Sequence, residues 1–275
     1  MNVLSDTSPE VERLMFEAYR RMSPARKMKL VAEAYVFGRQ LHFSGHHLRH
    51  PNATVADVNR AWAHMTLGPG PWLDRMRFDE MLQPAEYIVP LKHVLRVLDD
   101  LDIRYAIGGS MASSIHGQAR YTQDADITVE PFDGKERLFA LRFPSNEYYV
   151  DEGMVRDAVV RRASFNILHL LTSFKIDIFV QKNRPYDREF LARRIKAPVF
   201  GESEGEFGLI TAEDIILVKL EWYRLGGETS DRQWNDMLGV MKTQSDRLDT
   251  AYLDHWAVEI GVKDLPDRIR LQAGS

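Results

Sequence analysis

Residues 105–130 read YAIGGSMASSIHGQARYTQDADITVE, and the reading of this stretch decides that of the whole chain. Apolar Tyr105-Ala106-Ile107 leads into Gly108-Gly109-Ser110. A short helical run follows, and the chain re-emerges as Asp124-Ala125-Asp126 before Ile127-Thr128-Val129. In a strand the side chains alternate, so Asp124 and Asp126 share a face and Ala125 turns away. Their Cα atoms then lie roughly 6.5–7 Å apart, within reach of one hard cation for both carboxylates. The glycines let backbone approach a ligand closely. Ser110 falls at a helix N-terminus, where free N–H groups and the helix dipole favour an anion such as a phosphate.

Neither half of this pattern is specific alone. With 40 acidic residues in 275, acid-x-acid pairs arise about six times by chance. The order is the stronger signal: apolar strand, GGS, helix, Arg120-x-Thr122-x-Asp124-x-Asp126, apolar strand. A further acid, Asp177, lies in Phe174-Lys175-Ile176-Asp177-Ile178-Phe179. There it alternates with Lys175 and Phe179 on one face of a strand, and pairing with Lys175 on a solvated face is its plain alternative role.

GGS followed by DAD and then KIDIF resembles the DNA polymerase beta-like nucleotidyltransferase superfamily, whose pattern is hG[GS], then Dh[DE]h, then h[DE]h. Within it the chain looks most like bacterial nucleotidyltransferases of the abortive-infection and toxin–antitoxin type, which carry RxTxDxD and a later helical Lys. The resemblance spans about residues 84–260. It implies an α+β fold in which a mixed sheet is flanked by helices. It also implies that Gly108, Gly109 and Ser110 hold a triphosphate, and that Asp124, Asp126 and Asp177 bind Mg²⁺ or Mn²⁺, with Asp177 helping to activate an attacking hydroxyl. Arg120 matches the Arg of RxTxDxD and would neutralise phosphate charge; a surface Arg serving a local carboxylate is the alternative.

Lys219 sits between Val218 and Leu220 on an apolar helix, which calls for a partner or a ligand. The relatives follow this Lys with an RDxxD-like run. Here that run is Arg232-Gln233-Trp234-Asn235-Asp236, and Gln233 departs from it. A buried Lys219–Asp236 ion pair is the competing reading. The implied activity moves a nucleoside monophosphate from an NTP to a hydroxyl of RNA, protein or a small molecule. The alternative is a regulatory protein that binds a nucleotide or partner without catalysis.

Net charge of −4 advertises no global basic field for nucleic acid, and the absence of cysteine excludes disulfides and thiolate chemistry. No stretch is apolar enough to span a bilayer, and no signal-peptide pattern opens the chain, so the expected compartment is the cytoplasm. Ser8-Pro9 and Ser23-Pro24 start helices, and Leu67-Gly68-Pro69-Gly70-Pro71 breaks one. The resulting division is a helical module at 1–67 dispensable for the chemistry, a connector at 68–83, a nucleotidyltransferase core at 84–210 and a helical bundle at 211–275. His42, His46, His47 and His50 have helical spacing for a metal, but with Gly45 among them a solvated face and a turn before Pro51 is the preferred reading. Arg156, Arg161 and Arg162 read as a solvated basic face. Trp222, Tyr223, Trp234 and Trp256 read as core.

Overall fold

The computed structural model describes residues 7–79 and 88–274. The end of the expected connector and the expected start of the core at 84 lie outside them. The fold is α+β, a seven-stranded mixed sheet flanked by helices, in the strand order β3-β4-β5-β2-β1-β7-β6. Central β1 (Tyr105–Ile107) runs antiparallel to β2 (Asp124–Val129) and parallel to β7 (Phe207–Leu209), which pairs with the edge strand β6 (Ile195–Ala197). On the other side β2 runs parallel to β5 (Phe174–Val180). Hairpin partner β4 (Ser164–His169) and two-residue β3 (Tyr148–Tyr149) complete the sheet.

Alternation on β2 and β5 follows the sequence. Ala125, Ile127, Val129, Ile176, Ile178 and Val180 are buried, whereas Asp124, Asp126, Lys175 and Asp177 on the opposite face stay partly open. The buried face shares a core with α4 (Val89–Asp100), α6 (Glu136–Ala140) and α7 (Glu152–Arg161), through Leu95, Phe139 and Val155 among others. Beyond α8 (Pro185–Ala192), α9 (Ala212–Leu225), α10 (Asp231–Gln244), α11 (Thr250–Glu259) and α12 (Leu265–Gly274) form the C-terminal helical region. Helix α5 (Gly109–His116) leaves the end of β1 and packs against both α9 and α10. At the α5–α10 crossing a Cβ on Gly117 would come within 2.8 Å of the backbone at Gly239 and Val240, so glycine sets the spacing.

The amino-terminal helices α1 (Pro9–Arg21) and α2 (Pro24–Arg49) begin behind the expected Ser8 and Ser23, and α3 (Val55–Leu67) behind a Thr54 cap. They pack against the rest of the described chain. Met28, Val31, Tyr35 and Trp62 belong to the same hydrophobic core as the sheet. Lys27, only 3% exposed, donates to the Ile115 carbonyl at 2.8 Å. Arg39 donates to the Thr172 carbonyl at 3.2 Å, and Arg20 clasps the carbonyls of Lys242 and Thr243 on α10. The Gly-Pro run is a break in secondary structure, with Gly68 at φ +70° closing α3, while packing continues across it. Trp72, Met76 and Phe78 anchor the following segment against Ala63 and Leu170.

Helix α2 runs unbroken through Gly45 to Arg49, so the chain turns only at His50 to Asn52, around Pro51, and the glycine does not interrupt it. Glycine inside a helix costs about 1 kcal/mol, which tertiary burial of Met28, Val31 and Tyr35 outweighs. Trp222 departs from its expected place in the core, at 52% exposed, whereas Tyr223 is buried and Trp234 and Trp256 pack against the core. Among the described residues no helix is long and apolar enough to cross a membrane.

Candidate active site

Two strands and one helix start meet on the open face of the sheet. The register sets Asp126 level with Asp177 and Asp124 level with Lys175, so acid and base residues form a square on neighbouring parallel strands about 4.8 Å apart. Asp124 accepts from the Thr122 hydroxyl at 2.9 Å, which orients it from within its own strand entry. Asp177 is turned to Lys175, with Nζ and Oδ2 2.7 Å apart.

The Gly-Gly-Ser turn lies directly against this square. Gly108 N–H donates to the Asp126 carbonyl at 2.8 Å, tying the turn to β2. Gly109 adopts φ +54°, and a Cβ there would sit 1.7 Å from Asp126 Oδ2. Glycine is required twice over, once for the left-handed backbone and once because the carboxylate occupies the space of a side chain. Ser110, in the first turn of α5, accepts from Arg120 Nη2 at 2.7 Å.

Arg120 reaches much farther than its own loop. It grips Asp236 on α10 in a bidentate pair, Nε to Oδ1 at 2.5 Å and Nη2 to Oδ2 at 2.7 Å. Lys219 on α9 closes on the same carboxylate, with Nζ 2.8 Å from Oδ2. Asp236 is therefore the junction of α9, α10 and the GGS turn. The Lys219–Asp236 pair was one of the two readings open from sequence. The Arg120 partnership, spanning 116 positions, was not legible there.

The electrostatics follow from this geometry. Burial, then the neighbouring charges of Asp124 and Asp177, push the Asp126 carboxyl up to about 7, with Lys219 and Lys175 pulling the other way. Burial raises Asp177 too, opposed by its Lys175 partner. Burial works to raise Asp236 as well, but Arg120 and Lys219 outweigh it and hold that carboxyl below the usual carboxylate range. Three hard oxygen donors that repel one another are the donor chemistry a divalent cation of the magnesium type stabilises. Among the described residues, however, no three His, Asp or Glu side chains are gathered as metal ligands. Asp177 instead spends its carboxylate on Lys175.

The remaining sequence candidates lie away from this cluster. His42 packs edge-on against Trp62 at 5.2 Å, and the His46 and His50 rings lie 4.8 Å apart at a 45° tilt near the end of α2. Arg156 pairs with Glu152 on its own helix, and Arg162 donates to the Gln181 carbonyl.

No protein-family profile and no curated protein matches the chain. Among solved structures it is similar to an antigenic nucleotidyltransferase-like protein from Paracoccidioides brasiliensis, at 16% identity and a TM-score of 0.38, over 65% of this chain and 92% of that one. That likeness is too distant to transfer chemistry, so the functional reading rests on the residues of this chain.

Proposed function

We propose that the protein is a nucleotidyltransferase that moves a nucleoside monophosphate from an NTP to an acceptor hydroxyl. One observation carries the reading: Asp124, Asp126 and Asp177 lie on one open face of two adjacent strands, with Asp126 resting on the Gly-Gly-Ser turn that opens α5. A phosphate seated at that turn would meet helix N–H groups on one side and the three carboxylates on the other. When bound through Asp124, Asp126 and Asp177, Mg²⁺ or Mn²⁺ would supply the charge that lets a triphosphate approach these acids and would stabilise the leaving pyrophosphate.

In the reaction, the acceptor oxygen bonds the α-phosphorus while the bond from that phosphorus to the β-bridging oxygen breaks. Pyrophosphate leaves with that electron pair. The hydroxyl proton passes to Asp177, which stands level with Asp126 on the neighbouring strand. Ser110, oriented by Arg120, and the backbone of Gly108 and Gly109 hold the phosphates. RNA, a protein side chain or a small molecule can each supply such a hydroxyl, and toxin–antitoxin-like regulation is the context the sequence resemblance suggests.

The test is incubation with each labelled NTP and Mg²⁺, with and without cellular RNA and protein. Asp124→Asn, Asp126→Asn and Asp177→Asn should each abolish transfer and keep the parental circular dichroism. Transfer at the parental rate in any of the three removes that residue from the mechanism. A second reading, a nucleotide-binding regulator without turnover, draws on the closed pairing of Arg120 and Lys219 with Asp236. It predicts saturable NTP binding by calorimetry with no pyrophosphate released.

A further inference from the structure

Asp177 is the acid that the proposed chemistry needs, yet its carboxylate is committed to a neighbour on its own strand. Lys175 and Asp177 are two residues apart on β5 and therefore share a face, and their charged atoms are 2.7 Å apart. The register places Lys175 directly beside Asp124 and Asp177 directly beside Asp126. Lys175 thus occupies one corner of a square of residues whose other three corners are aspartates. Two lysine charges bear on Asp126, those of Lys219 and Lys175. Lys219 is already held by Asp236 at 2.8 Å, which leaves Lys175 to balance the strand carboxylates.

We infer that Lys175 is a resting-state lock on the site: its ammonium group stands in for a divalent cation and holds Asp177 away from the metal position until metal and nucleotide displace it. This inference rests on the nucleotidyltransferase reading and deepens it. It accounts for the absence, among the described residues, of any three acids gathered as ligands although three acids share the face. Lys175 is only partly buried, on a long flexible stem, so its head can swing to solvent when a stronger cation arrives. Lys175 is a positioning residue in this scheme. It touches neither nucleotide nor acceptor and acts through Asp177.

The lock makes a prediction opposite to that of a structural ion pair. Removing an ammonium group from beside a divalent site removes both a competitor and a repelling charge. Lys175→Met should therefore tighten Mn²⁺ binding to the nucleotide-free protein by about tenfold or more, the effect of deleting one like charge at a few ångströms in a well-solvated site. Lys175→Arg, which keeps the charge, should bind Mn²⁺ as the parent does. In an Asp177→Asn background the Lys175→Met gain should shrink to the part owed to the deleted repelling charge, since no third carboxylate remains to be freed.

The measurement is free Mn²⁺ by electron paramagnetic resonance over a titration, for the parent and these variants. Thermal melts of each confirm that the folded state is being compared. Tightening in Lys175→Met that is clearly smaller in the Asp177→Asn background supports the lock, and an equal gain in both backgrounds overturns it as simple charge repulsion. Parental or weaker affinity in Lys175→Met overturns it while leaving the metal site in place. If neither parent nor Lys175→Met binds Mn²⁺, with or without NTP, the metal-dependent reading falls and takes the lock with it.

Discussion

Replacing Asp236 by Asn keeps the size of the side chain and removes the charge on which Arg120 and Lys219 converge. In the parent the Asp236 side chain is 6% exposed, Lys219 10% and Arg120 25%, so none of the three charges is fully solvated. Breaking a buried pair by removing one partner costs about 3–5 kcal/mol, because the other charge stays behind uncompensated. Here the quarter-open Arg120 can recover some hydration, so the lower end, about 3 kcal/mol, is expected. At ~2–4 °C per kcal/mol for a chain of this size class, the melting temperature should fall by about 6–12 °C. Urea unfolding at pH 7 gives the free energy directly. The Asp236 carboxyl lies below its usual range, so its contribution persists from neutral pH down to the ordinary carboxylate pKa. It is lost only as pH falls through the depressed folded value. The parent–variant gap should hold from pH 8 to 5. Adding Lys219→Met to Asp236→Asn removes one stranded cation and should recover at least ~1 kcal/mol relative to Asp236→Asn alone. A loss under ~1 kcal/mol in Asp236→Asn, or a double variant in which the two costs simply add, would refute the three-way junction.

Three further outcomes follow from other parts of the molecule. His116 is buried and its Nε2 donates to the Ile210 carbonyl at 2.7 Å, and burial holds its pKa down to about 4. Its neutral ring contributes stability above the unfolded pKa that is lost as pH falls toward 4. Between pH 7 and 5 the parent should therefore lose about 2 kcal/mol more than His116→Gln in denaturant titrations, and equal losses would remove His116 as the cause. Gly109→Ala places a methyl group against Asp126 Oδ2 in a left-handed backbone, so it should destabilise by at least ~1–2 kcal/mol and weaken NTP binding; parental calorimetry and melting would show that the turn tolerates a side chain. A chain beginning at residue 68 loses Met28, Val31, Tyr35 and Trp62 from the shared core, so it should lose cooperative unfolding and solubility. A sharp melt and retained NTP binding in that truncation would make the amino-terminal helices dispensable after all.

What the sequence determined by itself is what short-range rules govern. Alternation along a strand put Asp124 and Asp126 on one face and Asp177 on the open side of its own strand, because side-chain direction depends only on the local backbone. Pro after Ser marked two helix starts, and the Gly-Gly turn was legible because few other residues adopt such a backbone. Tertiary structure alone decided which of these local faces meet. Parallel register of β2 with β5 set Asp126 beside Asp177, and no feature of either strand specifies that alignment. Arg120 found Asp236 across 116 positions, and Lys27 found the Ile115 carbonyl across 88. Spacing marked the break after residue 67, but only the folded chain showed that Met28, Val31, Tyr35 and Trp62 share a core with the strands. The unbroken α2 shows the same division, since local propensity disfavours helix at Gly45 and long-range burial overrides it. Charge partners and packing faces depend on distances that only the folded chain defines, and for that reason the carboxylates were readable from sequence, with Lys175 and Lys219 as alternative partners, whereas the reach of Arg120 to Asp236 was not.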